Sequence, residues 1–212
     1  MRRMKQDPNK RPVRPHRSQA VHGNEVRIIG GQWKRTKLQV ADKAGLRPTP
    51  DRVRETLFNW LGQDLSGWRC LDAFAGTGAL GFEAASRGAT QVQLVEHDAA
   101  LVAQLKRVQI QLQADPVQVT RGDGVAVLRQ VLVGSLDLIF IDPPFDSDVF
   151  ESAVLAAAQA VTLTGFVYLE APRKWTDEQL QPAGLHVHRH LKAGMVHAHL
   201  LKRIVSDPAL AG

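Results

Sequence analysis

Residues 70–81 read CLDAFAGTGALG, an apolar strand that stops at glycines and turns into a helix. Gly76 and Gly78 permit a tight turn and leave no side chain in the path of a ligand. Backbone N–H groups at such a strand-to-helix junction bind nucleotide-like molecules in open α/β sheets. Gly76, Gly78 and Gly81 also match the G-x-G-x-x-G pattern of NAD and FAD enzymes. This stretch alone therefore leaves the cofactor open, and close packing of strand on helix is a further explanation.

Predicted strands and helices alternate along the chain after this stretch. The strands are expected at residues 68–74, 91–98, 116–123, 136–145 and 165–172, and the helices at 79–87, 99–113, 124–133 and 148–161. Nearly continuous apolar strands in such a β-α repeat indicate a parallel sheet with helices on both faces. Two further β-rich runs flank Ala193-Gly194 and predict a closing antiparallel hairpin.

Another hairpin is predicted near the N-terminus, where residues 26–40 contain two β-rich runs around Gly30-Gly31. Its basic residues, among them Lys34 and Arg35, surround Trp33. Such a hairpin either grips a sugar–phosphate backbone while the ring stacks on a base, or is a strand edge protected by its charges. The sequence leaves both explanations open.

The helix predicted after this hairpin has a clear start, with Thr49 as the N-cap and Pro50 at the first helical position. Its apolar face consists of Val53, Leu57, Trp60 and Leu61. Three arginines lie near its N-terminal end, Arg47, Arg52 and Arg54. They could contact a cofactor carboxylate or an RNA phosphate, or only solvent.

The charge of the chain is concentrated at one end. The 212 residues carry a formal net charge of +6, and residues 1–22 hold seven Lys or Arg against one Asp, so the remainder is neutral. This basic arm has too few apolar residues to fold alone, which indicates a polyanionic partner such as RNA, or a tail that only aids solubility. With no membrane-length apolar run and one cysteine, Cys70, the sequence predicts a cytoplasmic protein without membrane contact.

Acidic side chains follow three successive predicted strands. Glu96 ends the second strand, Asp123 the third and Asp142 the fourth. Because the carboxyl ends of parallel strands line one crevice, these side chains are expected to face whatever the glycine loop binds. Glu96 follows Gly76 by 20 residues, the spacing at which an acid accepts hydrogen bonds from a ribose. Asp123 is placed to accept from an amine such as that of adenine, although aspartate is also a favoured helix N-cap.

Residues 142–145, Asp-Pro-Pro-Phe, supply the most specific signal. Two prolines directly after a buried strand end its hydrogen-bonded ladder and fix the backbone. The turn therefore holds a carboxylate, a proline carbonyl and an aromatic ring in one rigid arrangement. It is suited to accept two hydrogen bonds from a planar amine while the ring stacks on the same base. A dinucleotide-dependent oxidoreductase has no use for this arrangement.

Histidines alternate in the C-terminal hairpin, at positions His186, His188, His190, His197 and His199. A period of two puts each group on one face of its strand, and imidazoles on adjacent strands can share a cation. No cysteine or carboxylate completes a site locally. We therefore predict a polar, partly basic outer face and no metal.

In combination, AFAGTG, Glu96, Asp123 and DPPF resemble the class I S-adenosylmethionine-dependent methyltransferases that modify exocyclic amino nitrogens. More narrowly, RIIGGQWKRTKLQV, LRPTPDRVRETLFNWL, DAFAGTGALGFEAASRGA and FIDPPF resemble the RsmD family, bacterial methyltransferases of guanine N2 in small-subunit (16S) ribosomal RNA. The resemblance spans residues 26–203 and leaves out the basic arm. It implies a Rossmann-like α/β fold with a seven-stranded, mostly parallel sheet in the order 3-2-1-4-5-7-6.

Three segments are expected: a disordered basic arm at 1–22, a hairpin-and-helix extension at 23–64 and the methyltransferase domain at 65–205. The resemblance implies that S-adenosylmethionine is bound by Arg47, Thr49, Asp72, Phe74, Gly76, Gly78, Glu96, His97, Asp123 and Gly124. It implies that the target base is held by Asp142, Pro143, Pro144 and Phe145.

The activity that the resemblance implies is methyl transfer to guanine N2 of ribosomal RNA, by a monomer acting within a small-subunit assembly particle. Asp142 would accept the amine's hydrogen bonds, and whether it also removes the proton stays open. The alternatives are a DNA adenine-N6 or cytosine-N4 methyltransferase, which DPPF also permits, and an RNA-binding assembly factor without turnover. A dinucleotide oxidoreductase is the third alternative.

Overall fold

The computed structural model describes residues 25–39 and 49–205. The predicted basic arm at 1–22 and the predicted cofactor contact Arg47 lie outside these ranges. No helix in the described part of the chain is long and apolar enough to cross a membrane.

The described chain contains nine strands and six α-helices. The strands are β1 (Glu25–Arg27), β2 (Lys37–Gln39), β3 (Arg69–Asp72), β4 (Gln91–Glu96), β5 (Val117–Arg121), β6 (Leu136–Ile141), β7 (Val161–Ala171), β8 (Leu185–Ala193) and β9 (Val196–Arg203). The helices are α1 (Asp51–Trp60), α2 (Ala79–Ser86), α3 (Ala99–Leu112), α4 (Gly124–Gln130), α5 (Phe150–Ala160) and α6 (Asp177–Leu180), and a 3₁₀ turn covers Gln181–Ala183.

Strands β3 to β9 form one sheet in the order β5-β4-β3-β6-β7-β9-β8. Counted from β3, this is the order 3-2-1-4-5-7-6, so the predicted Rossmann-like methyltransferase fold is confirmed. Strands β3 to β7 pair in parallel, whereas β9 is antiparallel to both β7 and β8. The predicted C-terminal hairpin is therefore the two-stranded end of the sheet.

Apolar side chains bury both faces of the sheet, as a parallel sheet requires. Successive strand residues point to opposite faces, so Phe140 joins the cluster beneath α1 to α3 while Ile141 joins the cluster beneath α4 and α5. Phe58 of α1 packs on Phe140 with ring centroids 6.4 Å apart, which fixes α1 to the sheet. Cys70 is buried in β3, and burial raises the pKa of its thiol, so it behaves as a small hydrophobic residue.

The N-terminal hairpin differs from its prediction at the turn. Strands β1 and β2 pair as expected, but each has only three residues, and Gly30-Gly31 does not form a two-residue turn. Ile28 instead bonds across a longer loop, from its N–H to the Thr36 carbonyl and from its carbonyl to the Arg35 N–H. A Cβ on Gly31 would lie 1.8 Å from the Ser86 carbonyl oxygen, so this loop is pressed against α2.

A buried ionic cluster fastens this loop to α2. The Glu83 carboxylate accepts hydrogen bonds from the backbone N–H groups of Ile29 (2.7 Å) and Gly30 (2.8 Å). It also pairs with the guanidinium groups of Arg87 at 2.8 Å and Arg54 at 3.6 Å. Arg54 is fully buried and bonds the Arg27 carbonyl, so the expectation that it contacts a cofactor, phosphate or solvent is wrong. It lies on the apolar face of α1, next to Val53.

The start of β7 and the whole of α6 were not predicted. Strand β7 begins at Val161, directly after α5, because Val161 pairs with Leu136 on β6 and a register shift follows. Helix α6 was missed altogether, although Thr176 and Gln179 form a capping box at its start. The sequence TDEQ carries that signal.

Candidate active site

Acidic side chains from four neighbouring strands converge at the carboxyl edge of the sheet. Asp72 and Glu96 are the last residues of β3 and β4, Asp142 follows β6, and Glu170 is the penultimate residue of β7. The order of these strands is β4-β3-β6-β7, so the four carboxyl groups line one continuous edge. Glu170 was not among the residues singled out from the sequence.

The glycine loop lies between β3 and α2, as the sequence predicts. Gly76 and Gly78 have positive φ angles of 50° and 78°, a conformation that side-chain-bearing residues rarely adopt. A Cβ on Gly78 would approach Leu105 to 2.6 Å and Phe82 to 2.7 Å, so the loop also packs tightly. Phe74, just before the loop, is half-buried against the apolar cluster beneath α4 and α5.

Glu96 is bonded directly to this loop. Its Oε2 accepts a hydrogen bond from the Gly76 N–H at 2.9 Å, and its Oε1 accepts one from the Asp98 N–H at 2.9 Å. The His97 ring, which is exposed, lies 3.1 Å from Oε1. The carboxylate is 7% exposed and held in one orientation at the mouth of the loop.

Asp72 lies beneath the loop with one oxygen unused. Its Oδ2 accepts from the Gly81 N–H at 3.2 Å, whereas Oδ1 is buried and has no hydrogen-bond partner among the described residues. Burial raises the pKa of this carboxyl to about 7, and the nearby Glu96 and Glu170 charges act in the same direction. A buried, unpartnered carboxyl oxygen is suited to accept from a donor that belongs to a ligand.

Asp123 is the N-cap of α4. Its side chain is exposed and accepts from the Ala126 N–H at 2.6 Å, which is the helix-cap alternative raised by the sequence. The turn before Asp123 is hydrogen-bonded to the end of β4, because the Gly122 N–H donates to the Glu96 backbone carbonyl at 3.1 Å. A Cβ on Gly124 would lie 2.0 Å from the Ala73 carbonyl oxygen, so only glycine fits there.

The DPPF turn projects from the end of β6. Pro143 is buried, Pro144 is exposed, and Phe145 is 39% exposed. The Pro144 carbonyl accepts from both the N–H (3.0 Å) and the hydroxyl (2.6 Å) of Ser147, which closes the turn. The ring of Phe145 is therefore held at the surface beside Asp142.

Thr49 contacts this turn rather than capping α1. The N-cap of α1 is Pro50, without a side-chain cap bond, so the predicted Thr49 cap is wrong by one residue. Thr49 is instead buried, and its side chain lowers the pKa of both the Asp142 and the Glu170 carboxyl groups. Burial raises the pKa of Asp142 well above its usual range, and the charges of Glu170 and Asp72 add to the effect, while Thr49 opposes it.

The N-terminal hairpin carries cations and one tryptophan. Arg27, Lys34 and Arg35 are exposed, whereas Trp33 is half-buried against the core and its backbone N–H bonds the Ser86 hydroxyl at 2.9 Å. The packed Trp33 ring is therefore less available to stack on a base than the sequence suggested. Two open grooves of about 540 and 360 Å³ lie around Gly31 and Arg87, and neither includes a residue of the acidic edge.

Three of the histidines meet on one face of the C-terminal hairpin, where ring nitrogens of His190, His197 and His199 lie within 4.8 Å of one another. His199 is fully buried, so the predicted outer polar face is wrong for this residue. Its Nε2 accepts from the Trp175 N–H at 3.0 Å and its Nδ1 faces the Leu169 carbonyl at 3.3 Å. Burial lowers the pKa of His199 to about 4. It cannot ligate a cation without giving up one of these bonds.

The chain is similar to proteins of one family. The family described as "Conserved hypothetical protein 95" matches residues 26–202. "Ribosomal RNA small subunit methyltransferase D" of Escherichia coli (strain K12) is 39% identical over 181 residues, covering 84% of this chain and 90% of that protein. The protein with the same description from Haemophilus influenzae is 38% identical over 165 residues, covering 72% and 86%.

Solved structures give the same result for the fold. A structure described as "Putative methyltransferase yhhF from Escherichia coli" superposes with a TM-score of 0.73 at 35% identity, covering 85% of this chain and 98% of that one. The matched family region, residues 26–202, takes in strands β3 to β8, nearly all of β9 and the N-terminal hairpin from Val26 onwards.

Proposed function

The chain belongs to the RsmD family of methyltransferases, and from that premise we propose that it methylates the exocyclic N2 of a guanine in small-subunit ribosomal RNA. The observation that carries the proposal is Asp142, held with Phe145 in a rigid turn on the same edge as the Gly76–Glu96 contact. An amine acceptor and a cofactor loop on one edge are what transfer of a methyl group to a planar amine requires.

The cofactor is S-adenosylmethionine, bound between the glycine loop and the acidic edge. Glu96 accepts hydrogen bonds from the ribose hydroxyls, and the unpartnered Oδ1 of Asp72 suits the cationic amino group of the methionine part. We propose that Thr49, Phe74, Gly76, Gly78, His97, Asp123 and Gly124 also line the cofactor site. When bound, the cofactor supplies a methyl carbon that its sulfonium already makes electrophilic.

Asp142 holds the target amine. Its carboxylate and the Pro143 carbonyl accept the two N–H bonds of guanine N2, which aligns the nitrogen and favours its change from planar geometry. Phe145 stacks on the base, which must leave its helix to enter the site. Pro143 and Pro144 keep these groups in place without a flexible loop.

The partner is ribosomal RNA, reached as part of a small-subunit assembly particle by a monomeric enzyme. The exposed Arg27, Lys34 and Arg35 of the hairpin contact phosphates, and the basic arm at 1–22 supplies further positive charge. Within the proposed extension at 23–64, α1 packs on the proposed methyltransferase domain at 65–205 through Phe58 and Phe140, and the hairpin loop bonds to α2 through Glu83.

Replacement of Glu96 by alanine is expected to weaken S-adenosylmethionine binding by about 2–3 kcal/mol, because two ribose hydroxyls lose a charged acceptor and Gly76 loses its partner. Isothermal titration calorimetry measures the affinity. The exposed Glu55 on α1 supplies the matched control, Glu55→Ala, which should bind the cofactor as the wild type does. Equal affinity in Glu96→Ala and the wild type would remove Glu96 from the cofactor site.

The function is tested by mass spectrometry of nucleosides from small-subunit ribosomal RNA of a strain that lacks the protein. Loss of one N2-methylguanosine, restored by the purified protein and S-adenosylmethionine, is the expected result. If the strain instead loses N6-methyladenine or N4-methylcytosine from its DNA, the protein is a DNA methyltransferase. If the nucleosides of both the RNA and the DNA are unchanged and the protein still binds RNA, it is an assembly factor without turnover.

A further inference from the structure

The C-terminal hairpin, formed by β8 and β9, concentrates positive charge. Residues 185–203 contain no aspartate or glutamate and four basic residues, Arg189, Lys192, Lys202 and Arg203. Outside this hairpin and the basic arm at 1–22, the chain holds 16 Lys or Arg against 20 Asp or Glu. Within the described part of the chain, none of the four forms an ion pair, although Arg54, Arg69 and Arg87 each do. The hairpin is therefore a local excess of unpaired cations.

An aromatic stack holds part of this charge in a fixed position. Phe166 of β7 and Trp68, which precedes β3, stack with ring centroids 6.0 Å apart and planes 14° apart. The ammonium nitrogen of Lys202 lies 4.7 Å from the centroid of the Phe166 ring, and the centroid of the His188 ring lies 6.1 Å from it. A lysine that already rests on a ring loses less side-chain freedom on meeting an anion than one that moves freely in solvent.

Strand pairing puts two of the four cations on one face of the sheet. Lys202 of β9 is opposite His186 of β8, and opposed residues of an antiparallel pair share a face. Arg189 is opposite Leu200, which lies two residues before Lys202 and so on the same face. His188 lies between them on β8 and, like Lys202, against the aromatic stack. We call this surface the basic face; it consists of His186, His188, Arg189 and Lys202.

The basic face lies within reach of the acidic edge. Phe166, on which Lys202 rests, precedes Glu170 by four residues of β7, or about 13 Å at the usual rise of a strand. Arg189 lies nearer, because its partner on β9 pairs with Tyr168. A nucleic-acid strand with its target base at the acidic edge can therefore place neighbouring phosphates on the basic face.

Protection of the sheet edge explains only part of this charge. Strand β8 is an outer strand, and cations on such strands prevent pairing with another sheet. Strand β9, however, lies between β7 and β8, so Lys202 is on a strand that is paired on both sides. Near the start of β8, the Asp177 carboxylate already accepts the Val187 N–H at 2.7 Å. The position of Lys202 therefore has no explanation in edge protection.

The fold brings like charges together on this face. Partial burial lowers the pKa of the His188 ring, and the charges of Lys202, Arg189 and His186 act in the same direction. Repulsion among neighbouring cations raises the free energy of the folded protein, and bound phosphates relieve it. The basic face therefore complements a polyanion.

We propose that the basic face is a contact surface for backbone phosphates of the RNA substrate, separate from the N-terminal hairpin and the basic arm. The inference rests on the proposed function, which supplies RNA as the partner. Lys202 offers an ammonium group and Arg189 a guanidinium that suits two phosphate oxygens at once. Contacts to phosphates orient the strand and carry no sequence information, so the choice of base stays with the DPPF turn.

The test compares two double variants that lose the same charge. One carries Arg189→Gln with Lys202→Gln, and the matched control carries Lys106→Gln with Arg107→Gln, both exposed on α3. Fluorescence anisotropy measures binding to a fragment of small-subunit ribosomal RNA from about 50 to 200 mM salt. We expect the slope of log affinity against log salt to fall by about 1.4–1.8 in the first variant, since each lost phosphate contact removes about 0.7–0.9. The control should keep the slope of the wild type.

Single variants separate charge from packing. Lys202→Arg keeps a cation over the Phe166 ring and should keep the slope of the wild type, whereas Lys202→Gln should lose about 0.7–0.9. Arg189 is exposed, so Arg189→Gln tests the face without disturbing the aromatic stack. An unchanged slope in both glutamine variants would overturn the proposal. So would an equal loss of slope in the α3 control, because net charge alone would then account for the effect.

Methyl transfer distinguishes failure of this inference from failure of the proposed function. In the double variant of the basic face we expect a higher KM for RNA, with kcat and cofactor affinity as in the wild type. If the protein shows the expected slopes but methylates no RNA, the basic face stands and the proposed function is refuted. If every variant methylates RNA with the KM and slope of the wild type, the proposed function stands and the basic face is refuted.

Discussion

Replacing Asp142 with alanine is expected to lower the single-turnover rate of methyl transfer by about 10²- to 10⁴-fold while cofactor affinity stays near that of the wild type. The change removes the acceptor at the reacting nitrogen. It leaves the contact between Glu96 and the Gly76 N–H untouched, since that contact belongs to β4 and the glycine loop. Rates are measured with RNA at saturating S-adenosylmethionine, and affinity by calorimetry.

Asp142→Asn separates positioning from proton removal. The asparagine oxygen still accepts from the amine, so a milder loss than in Asp142→Ala indicates positioning, whereas an equal loss indicates that the carboxylate must take the proton. The exposed Asp146, four residues further on, provides Asp146→Ala as the matched control. A wild-type rate in Asp142→Ala would refute the mechanism.

Much of the fold was predictable because its signals are local. Apolar strands followed by amphipathic helices placed β3 to β7, and the glycines after β3 marked the first strand-to-helix turn. The order of the strands came from the family resemblance, since periodicity does not say which strands are neighbours. The predicted two-residue turn at Gly30-Gly31 was wrong because this segment packs against Ser86, a tertiary contact that no local pattern reveals.

The site was predictable where one motif supplies all its parts. The DPPF turn is a single short stretch, and Glu96 follows Gly76 at the 20-residue spacing known from ribose-binding acids. Glu170 and Thr49 were different: Glu170 lies inside an apolar strand and Thr49 precedes a proline, where it has the features of a helix cap. Their meeting with Asp142 depends on the β6–β7 register and on where α1 packs.

Arg54 shows why charge alone misleads. Its sequence position suggested a cation near a helix start, open to an anionic ligand. In the fold it is completely buried, with an ion pair to Asp51 at 2.6 Å and one to Glu83 at 3.6 Å. The available signal was helical phase, because Arg54 falls between Val53 and Leu57 on the buried face of α1.

Glu83→Ala is expected to lower the free energy of unfolding by about 3–5 kcal/mol. The change leaves the buried Arg54 and Arg87 guanidinium groups without their shared carboxylate and removes the acceptor of the Ile29 and Gly30 N–H groups. The uncompensated charge of the buried Arg87 is the largest part of this cost, because Arg54 keeps its ion pair with Asp51. Urea unfolding followed by circular dichroism measures the change.

An exposed ion pair supplies the comparison that isolates burial as the cause. Glu25 and Lys37 pair at 2.7 Å on the same hairpin, with side chains 37% and 60% exposed, so Glu25→Ala should cost at most about 1 kcal/mol. Glu83→Gln, which keeps an acceptor for the loop and removes only the charge, should fall between the two. If Glu83→Ala and Glu25→Ala destabilise the protein equally, the buried cluster does not anchor the hairpin. A large loss in Glu83→Ala alone means that the hairpin, with its exposed cations Arg27, Lys34 and Arg35, is held in place through α2.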